Sequence, residues 1–246
     1  MNRLDVLQAI VDRIHAETYL EIGVNHGQVI SHLRCPRKVG VDPDFRFGPR
    51  LKLKRLLGQV RFITVAATSD AFFADNAAAL LPRGVDVVFV DGLHSCRQVL
   101  VDVDNSLRYL NPGGVIVIHD CNPLNQAGAT PITRSLADVI AAAAAGDLPG
   151  WNGCWSGDVW KAVGYLRAAR HDLRVFTLDL DWGLGIVERG SDSSTLPWPG
   201  SAILDADYSF LERHREAVLG LKPPRHLFEW LERRQPPAAG DGVIAS

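Results

Sequence analysis

The sequence predicts an α/β protein: a mostly parallel sheet with helices on both faces, closed by a terminal antiparallel hairpin. Three observations carry this. Val85-Asp86-Val87-Val88-Phe89-Val90 and Val115-Ile116-Val117-Ile118 are near-continuous β-branched runs, the pattern of central parallel strands covered on both sides. Thr18-Tyr19-Leu20-Glu21-Ile22-Gly23-Val24-Asn25-His26-Gly27 is an apolar strand running into an acid and then two glycines. Leu173 to Leu180 and Gly183 to Glu188 read as two strands turned at Asp181-Trp182.

Composition narrows the functional classes. With 246 residues, 47% of them hydrophobic, the chain can bury one substantial core, so a single domain over residues 1–234 is expected, with its core at about 18–190 and a helical extension at 205–234. A formal charge of −2 gives no basic face for nucleic acid. The first residues, Met1-Asn2-Arg3-Leu4-Asp5, include an acid and no long apolar run, and no later segment is long enough to span a bilayer, so no membrane partner is expected. Cys35, Cys96, Cys121 and Cys154 have unrelated spacings and form neither a disulfide framework nor a zinc pattern, which fits a reducing cytoplasm. Homo-oligomerisation is left open.

Taken in order, Leu4 to His15 has apolar residues at helical spacing, followed by the first strand and its glycine loop. Gly23 and Gly27 let the backbone turn tightly and approach a ligand, and a helix from Gln28 to Leu33 would offer it free N–H groups. Glu21, Gly23, Asn25 and Gly27 are therefore candidate cofactor contacts. The Gly-x-x-x-Gly spacing lacks the third glycine of a dinucleotide fingerprint. Val39-Gly40-Val41-Asp42 is a second strand, and Asp42 stands where nucleotide folds hydrogen-bond a ribose, about 20 residues after the loop. Phe45 to Leu57 is a basic helix with a flexible lead-in, Val60 to Ala66 a third strand, and Ser69 and Asp70 cap a helix beginning at Ala71.

The fourth strand delivers Asp91-Gly92-Leu93-His94, and a helix from Cys96 to Leu110 follows. Asn111-Pro112-Gly113-Gly114 turns the chain into the fifth strand, which delivers His119-Asp120-Cys121-Asn122. Adjacent strands would bring Asp91 and Asp120 together at one sheet edge, where two carboxylates repel unless a cation or proton intervenes. Asn122 to Thr133 is then a polar covering loop, Arg134 to Ala145 a helix, and Pro149 to Asp158 a glycine-rich segment whose Trp151 and Trp155 suit a carbohydrate-facing wall. Val159 to Arg170 is helical, Ser191 to Gly200 a link, Tyr208 to Leu219 and His226 to Arg233 short helices, and Gln235 to Ser246 a Pro/Ala/Gly-rich tail expected to be disordered.

The acid and Gly-x-x-x-Gly after the first strand, with Leu-Asn-Pro-Gly-Gly before the fifth, resemble the class I S-adenosylmethionine-dependent methyltransferases over residues 18 to 122. The resemblance implies a Rossmann-like, mostly parallel seven-stranded sheet ending in an antiparallel hairpin. It implies S-adenosyl-L-methionine as cofactor, with Ser69 near the adenine and Asp91 at the cofactor edge. Val90-Asp91-Gly92-Leu93-His94 with Ile118-His119-Asp120 is similar to the branch that methylates hydroxyls of sugars and natural products. Several of its members hold Mg2+ through acids after the fourth and fifth strands, here Asp91 and Asp120. Cys121 stands where those members carry Asp or Asn.

A hydroxyl acceptor needs a base or a cation that lowers its pKa. His94 is the candidate base, with Asp91 beside it, and His119 is either a second catalytic candidate or a buried structural residue. Three readings follow: an O-methyltransferase acting on a saccharide or other small hydroxylated metabolite, an NAD-dependent oxidoreductase, and a catalytically silent interaction module. The missing third glycine and the terminal hairpin count against the second, and the retained acids against the third.

Overall fold

A computed structural model describes residues 1–132, 135–191 and 196–234 of the chain. The expected tail at 235–246, Thr133, Arg134 and part of the 191–200 link lie outside the described residues. The elements are α1 (Arg3–Ile14), β1 (Thr18–Ile22), β2 (Arg37–Val41), α2 (Pro49–Leu56), β3 (Ile63–Val65), α3 (Ser69–Ala71) continuing through a π-helical stretch (Phe72–Asn76) into α4 (Ala77–Leu80), and β4 (Val85–Val90). They continue with α5 (Cys96–Tyr109), β5 (Leu110–Ile118), α6 (Leu136–Ala145), α7 (Val159–Ala169), β6 (Leu173–Leu178), β7 (Leu184–Arg189), α8 (Gly200–Asp205), α9 (Tyr208–Leu219), β8 (Leu221–Lys222) and α10 (His226–Arg233).

The strands form one eight-stranded sheet in the order β3-β2-β1-β4-β5-β7-β6-β8. β1 to β5 pair in parallel, whereas β7 runs antiparallel to β5 and to β6. The chain leaves β1 for β2 and β3 on one side and returns to β4 on the other, so the strand order reverses between β1 and β4. Open α/β sheets bind ligands at the carboxyl edge of such a switch point. Because side chains alternate along a strand, Leu20, Ile22, Val88, Val90, Ile116 and Ile118 pack on the face covered by α5 and α7. Tyr19, Val87, Phe89, Val115 and Val117 pack on the face covered by α1 and α10. Burial of both faces explains the unbroken apolar runs.

Four local expectations are corrected. The sheet has eight strands, not seven: Gly220 ends α9 in a left-handed conformation, and the two residues after it pair with β6. Residues 28–32 form turns, not a regular helix: Ser31 and Leu33 donate to Gly27 and Val29 four residues back, but His32 donates three back to Val29, and Lys38 Nζ caps the carbonyls of Ile30 at 2.7 Å and Leu33 at 2.8 Å. The glycine loop is therefore not followed by a helix N-terminus. The helix after β3 is capped by the Thr68 hydroxyl, which accepts the Ala71 N–H at 3.3 Å, and this makes Ser69 its first residue. β5 starts at Leu110, with Asn111 to Gly114 bulging out between the Leu110–Val85 and Val115–Val87 pairs.

Candidate active site

Three strand ends build the site. Gly23 follows β1, Asp42 follows β2, and Asp91 follows β4, and all three line a cavity of about 610 Å3 at the switch point. Ligand pockets for small molecules commonly have volumes of about 300–1,000 Å3. Asp42 is buried, and its two oxygens accept the N–H of Asn25 and of Asp44, each at 2.7 Å, which fixes the loop against the end of β2. Ser69 lines the opposite wall with its Oγ 3.2 Å from Gln98 Nε2, and Gln98 also reaches Asp102 at 3.1 Å. Burial raises the Asp102 carboxyl to about 6, against the hydrogen bonds from Ser69 and Gln98.

Two loop residues named from sequence stand outside this cavity's lining. Glu21 is buried and receives the Tyr19 hydroxyl at 2.6 Å. Gly27, at φ +73°, would bring a Cβ to 2.8 Å from the Leu51 side chain and 3.0 Å from the Phe47 ring. Gly23, at φ +88°, does line the cavity, yet a Cβ there would lie 2.1 Å from the Asp91 carbonyl oxygen. Its first duty is to let the β1 loop pass the β4 loop.

The strand register places Val90 beside Ile118, so Asp91 and His119 emerge side by side, and Asp120 follows at φ +61°. His119 Nδ1 lies 3.0 Å from Asp91 Oδ1 and 2.8 Å from Asp120 Oδ2. Burial opposes charge on His119, but Asp91, Asp120 and Asp181 outweigh it and push its pKa up to about 11. Nε2 is 4.0 Å from Asp181 Oδ1, an ion-pair separation too long for a hydrogen bond. Asp91 resists burial in the opposite sense, held well below the usual carboxylate range by His119 and His94. Its second oxygen accepts Arg3 Nη1 at 3.1 Å, and the second oxygen of Asp120 accepts the Ser156 hydroxyl at 3.1 Å. The repulsion expected between the two acids is thus met by the protein's own cations.

His94 completes the cluster. Its Nδ1 lies 3.1 Å from the Trp155 carbonyl, an obligate acceptor, so Nδ1 carries a proton and Nε2 is the exchanging nitrogen. Nε2 faces Asp120 Oδ2 at 3.2 Å and Asp91 Oδ1 at 3.6 Å. Burial lowers the His94 pKa, but Asp91 and Asp120 reverse this, leaving it above the ordinary value. The His94 ring stacks on Trp155 with centroids 5.1 Å apart. Gly157, at φ +61°, permits that approach, since a Cβ would fall 2.0 Å from the His94 carbonyl oxygen. Asp91, His94 and Asp120 each offer one ligand atom to a common point, all within 4.8 Å of one another. Cys121 contributes nothing there: its Sγ packs in the core and donates to the Ile118 carbonyl at 3.3 Å.

A second cavity of about 290 Å3 opens on the other side of this cluster, walled by Arg3, His119, Asp120 and Trp182. Asp91, His94 and Trp155 line both cavities. Trp155, not Trp151, is the wall of the two, and its Nε1 donates to the Thr130 carbonyl at 2.7 Å. Arg3, Ser156, Asp181 and Trp182 escaped the sequence reading as site residues. Asp181 holds Arg3 through its backbone N–H at 2.7 Å and through Nε at 3.0 Å, and Asp181 and Trp182 both have positive φ. Non-glycine left-handed residues at Asn25, His94, Asp120, Asp181 and Trp182 gather at this one edge, as strained conformations do at functional sites.

Among the described residues no helix is long and apolar enough to cross a membrane. Residues 20–121 match the model of a family described as a methyltransferase domain. An uncharacterized protein of Acanthamoeba polyphaga mimivirus is 31% identical over 114 residues, covering 42% of this chain and 51% of the relative, so the chain spans about half the length of the curated relative it matches. A Staphylococcus aureus protein described as a caffeoyl-CoA O-methyltransferase superposes with a TM-score of 0.51 at 15% identity, over 76% of this chain and 82% of that one. A Klebsiella pneumoniae protein described as an O-methyltransferase gives 0.49 at 14% identity, over 77% and 80%. The family match over 20–121 and the sheet order bear out the resemblance to class I S-adenosylmethionine-dependent methyltransferases that the β1 loop and the β4 and β5 ends carry.

Proposed function

We propose that the chain is an S-adenosylmethionine-dependent O-methyltransferase whose acceptor is a hydroxyl of a saccharide or other small hydroxylated metabolite. The observation that carries this is the junction of two cavities at Asp91, His94 and Trp155. The larger cavity suits the donor: Asp42, at the end of β2, would face a ribose, and Ser69 with Gln98 and Asp102 forms the far wall. The smaller suits the acceptor, with the flat faces of Trp155 and Trp182 available to sugar C–H groups.

S-adenosylmethionine, when bound, supplies an electrophilic methyl group to an in-line displacement, a reaction in which positioning is worth up to ~7–11 kcal/mol. His94 takes the acceptor proton at Nε2, and Asp120 and Asp91 stabilise the imidazolium that results. Asp91 holds its place through Arg3 and His119. The carboxylates of Asp91 and Asp120 would also hold a divalent cation such as Mg2+, with waters in its other positions, which would lower the pKa of an acceptor hydroxyl. His119 Nδ1 competes for the same carboxylate oxygens, so such a cation and the His119 proton are alternatives.

The test is calorimetric titration with S-adenosylhomocysteine and, separately, NAD, followed by intact-mass analysis of hydroxylated acceptors with and without EDTA. Binding of S-adenosylhomocysteine alone and a one-methyl mass gain support the proposal; binding of NAD alone, or of neither, defeats it. Full activity after exhaustive chelation removes the cation and leaves the His94 route.

A further inference from the structure

The helix α2 carries an apolar stripe on its outer face. Leu53, Leu56 and the C-cap residue Leu57 stand at i, i+3 and i+4, one side of a helix, and they are 55%, 83% and 60% exposed. At 3.6 residues per turn, Lys52 falls on one flank of that stripe and Arg50 and Lys54 on the other, and all three are exposed. The inner side is anchored. Leu51 packs against the core on the α1 side of the sheet, while Arg55 donates to the Phe62 carbonyl at 3.3 Å and sets its guanidinium 4.3 Å from the centre of the Phe62 ring. The helix is therefore held with three leucines pointing outward. Single exposed leucines are ordinary on a protein surface, whereas a contiguous group on one face marks an interaction site.

The charge around the stripe is of one sign. From Phe45 to Ser69 the chain has no Asp or Glu, but it has Arg46, Arg50, Lys52, Lys54, Arg55 and Arg61. Arg46 pairs with Asp44 at 2.8 Å and Arg55 is turned inward. Among the described residues no carboxylate lies within 4.0 Å of the Arg50, Lys52 or Lys54 charge. A leucine stripe framed by cations on both flanks matches a bilayer boundary, where acyl chains lie beneath a plane of anionic headgroups. The leucines enter that boundary, and the lysine and arginine stems lie along it and carry their charges to the phosphates. A second copy of the chain fits less well, because a two-fold contact through this patch sets its cations against their own equivalents. A helix lying in the interface needs no spanning segment, so the lack of a long apolar helix among the described residues bears on crossing alone.

We propose that α2 docks the protein on a bilayer surface rich in anionic phospholipid, through Leu53, Leu56 and Leu57 and the cations beside them. The docking surface uses neither cavity of the candidate active site and stands independently of the methyl-transfer reading.

The experiment is co-sedimentation of the full chain with extruded vesicles of phosphatidylcholine alone or with about 30% phosphatidylserine, at about 50 mM and about 300 mM salt. Partition onto the anionic vesicles is expected to be at least ~10-fold stronger than onto the neutral ones and to weaken as salt rises. Lys52→Glu/Lys54→Glu should lose at least ~10-fold of the partition onto anionic vesicles. Leu56→Ser/Leu57→Ser should lose at least ~10-fold through the apolar term, and urea unfolding of both variants should match the parent, since all four positions are exposed. If serine weakens the helix, Leu56→Ala/Leu57→Ala gives the same comparison with a smaller loss. Several results would each overturn the proposal: no sedimentation with anionic vesicles, equal partition onto both compositions, or unchanged partition in either folded variant. Binding of polyglutamate in place of vesicles, or a dimer dissolved by the leucine variant without vesicle binding, would overturn it in favour of a protein partner.

Discussion

Arg3 Nη1 lies 3.1 Å from Oδ2 of Asp91, which ties the first residue of the N-terminal helix to the carboxylate at the centre of the site. The tie is rigid because Asp181, at the turn of the β6–β7 hairpin, receives both the Arg3 guanidinium and the Arg3 backbone N–H. One helix start and one hairpin turn therefore set the position of Asp91 from opposite ends of the chain. Arg3→Ala is expected to lower kcat by about 10–100-fold through misplacement of Asp91, with S-adenosylhomocysteine affinity little changed. Arg3→Lys should recover only part of this, since an ammonium cannot span Asp91 and Asp181 as a fork does. Steady-state kinetics on both variants decide the matter, and a wild-type kcat in a folded Arg3→Ala protein rejects the role.

Gly23→Val is expected to fail at the level of folding before it fails in binding. Its Cβ would meet the Asp91 backbone at 2.1 Å and the Gly92 Cα at 2.7 Å, and a β-branched residue resists φ +88°. Backbone strain and overpacking together should cost roughly 3 kcal/mol or more. Gly113→Ala is the matched control, with a similar φ of +77° but nothing within 4 Å of the added Cβ, and should cost only ~1 kcal/mol. Urea denaturation of the two variants tests this; equal losses would show that conformational strain alone matters at Gly23.

Glu21 makes stability depend on pH. Burial raises its carboxyl from 4.5 to about 8, against the Tyr19 hydroxyl bond that favours the anion. The native state therefore keeps a proton that the unfolded chain gives up above 4.5. Its stabilising contribution is full below 4.5 and is lost as pH rises to about 8, at a slope of up to ~1.4 kcal/mol per pH unit. Glu21→Gln should flatten that slope and be the more stable protein at the alkaline end. Unfolding free energies measured across this window check it, and parallel curves for the two proteins would reject it.

How far the site could be read from sequence depended on chain separation. Val85 to Val90 and Val115 to Ile118 announced buried parallel strands, and their register alone sets Asp91 beside His119 and Asp120. The turn at 28–32 was hidden because its irregular bonding, His32 to Val29 beside Leu33 to Val29, shares the apolar spacing of a helix, with Val29, Ile30 and Leu33 buried. Arg3 was hidden more completely. Its partners lie 88 and 178 residues away, and nothing local distinguishes it from any other arginine at a helix start. Ser156 and Gly157 escaped for the same reason: their purpose is visible only once residues 154–158 are folded against Asp120 and His94.

The two histidines of the cluster should separate by experiment, because they do different things to the same carboxylates. His94 lines both cavities, and its Nδ1 proton is committed to the Trp155 carbonyl, so removing the ring removes the base together with the Trp155 stack and one of the groups facing Asp91 and Asp120. His94→Ala should lower kcat by roughly 10²–10⁴-fold with S-adenosylhomocysteine affinity near that of the parent and a smaller loss of melting temperature than His119→Ala. His119 is the buried cation between Asp91 and Asp120, with Nδ1 within 3.0 Å of both. His119→Ala leaves two buried carboxylates facing each other and should cost about 3–5 kcal/mol of stability along with activity. His119→Gln, which can donate to one carboxylate but carries no charge, should fall between parent and alanine variant in melting temperature. Near-wild-type turnover in His94→Ala beside a folded, inactive His119→Ala would require that the two roles be exchanged.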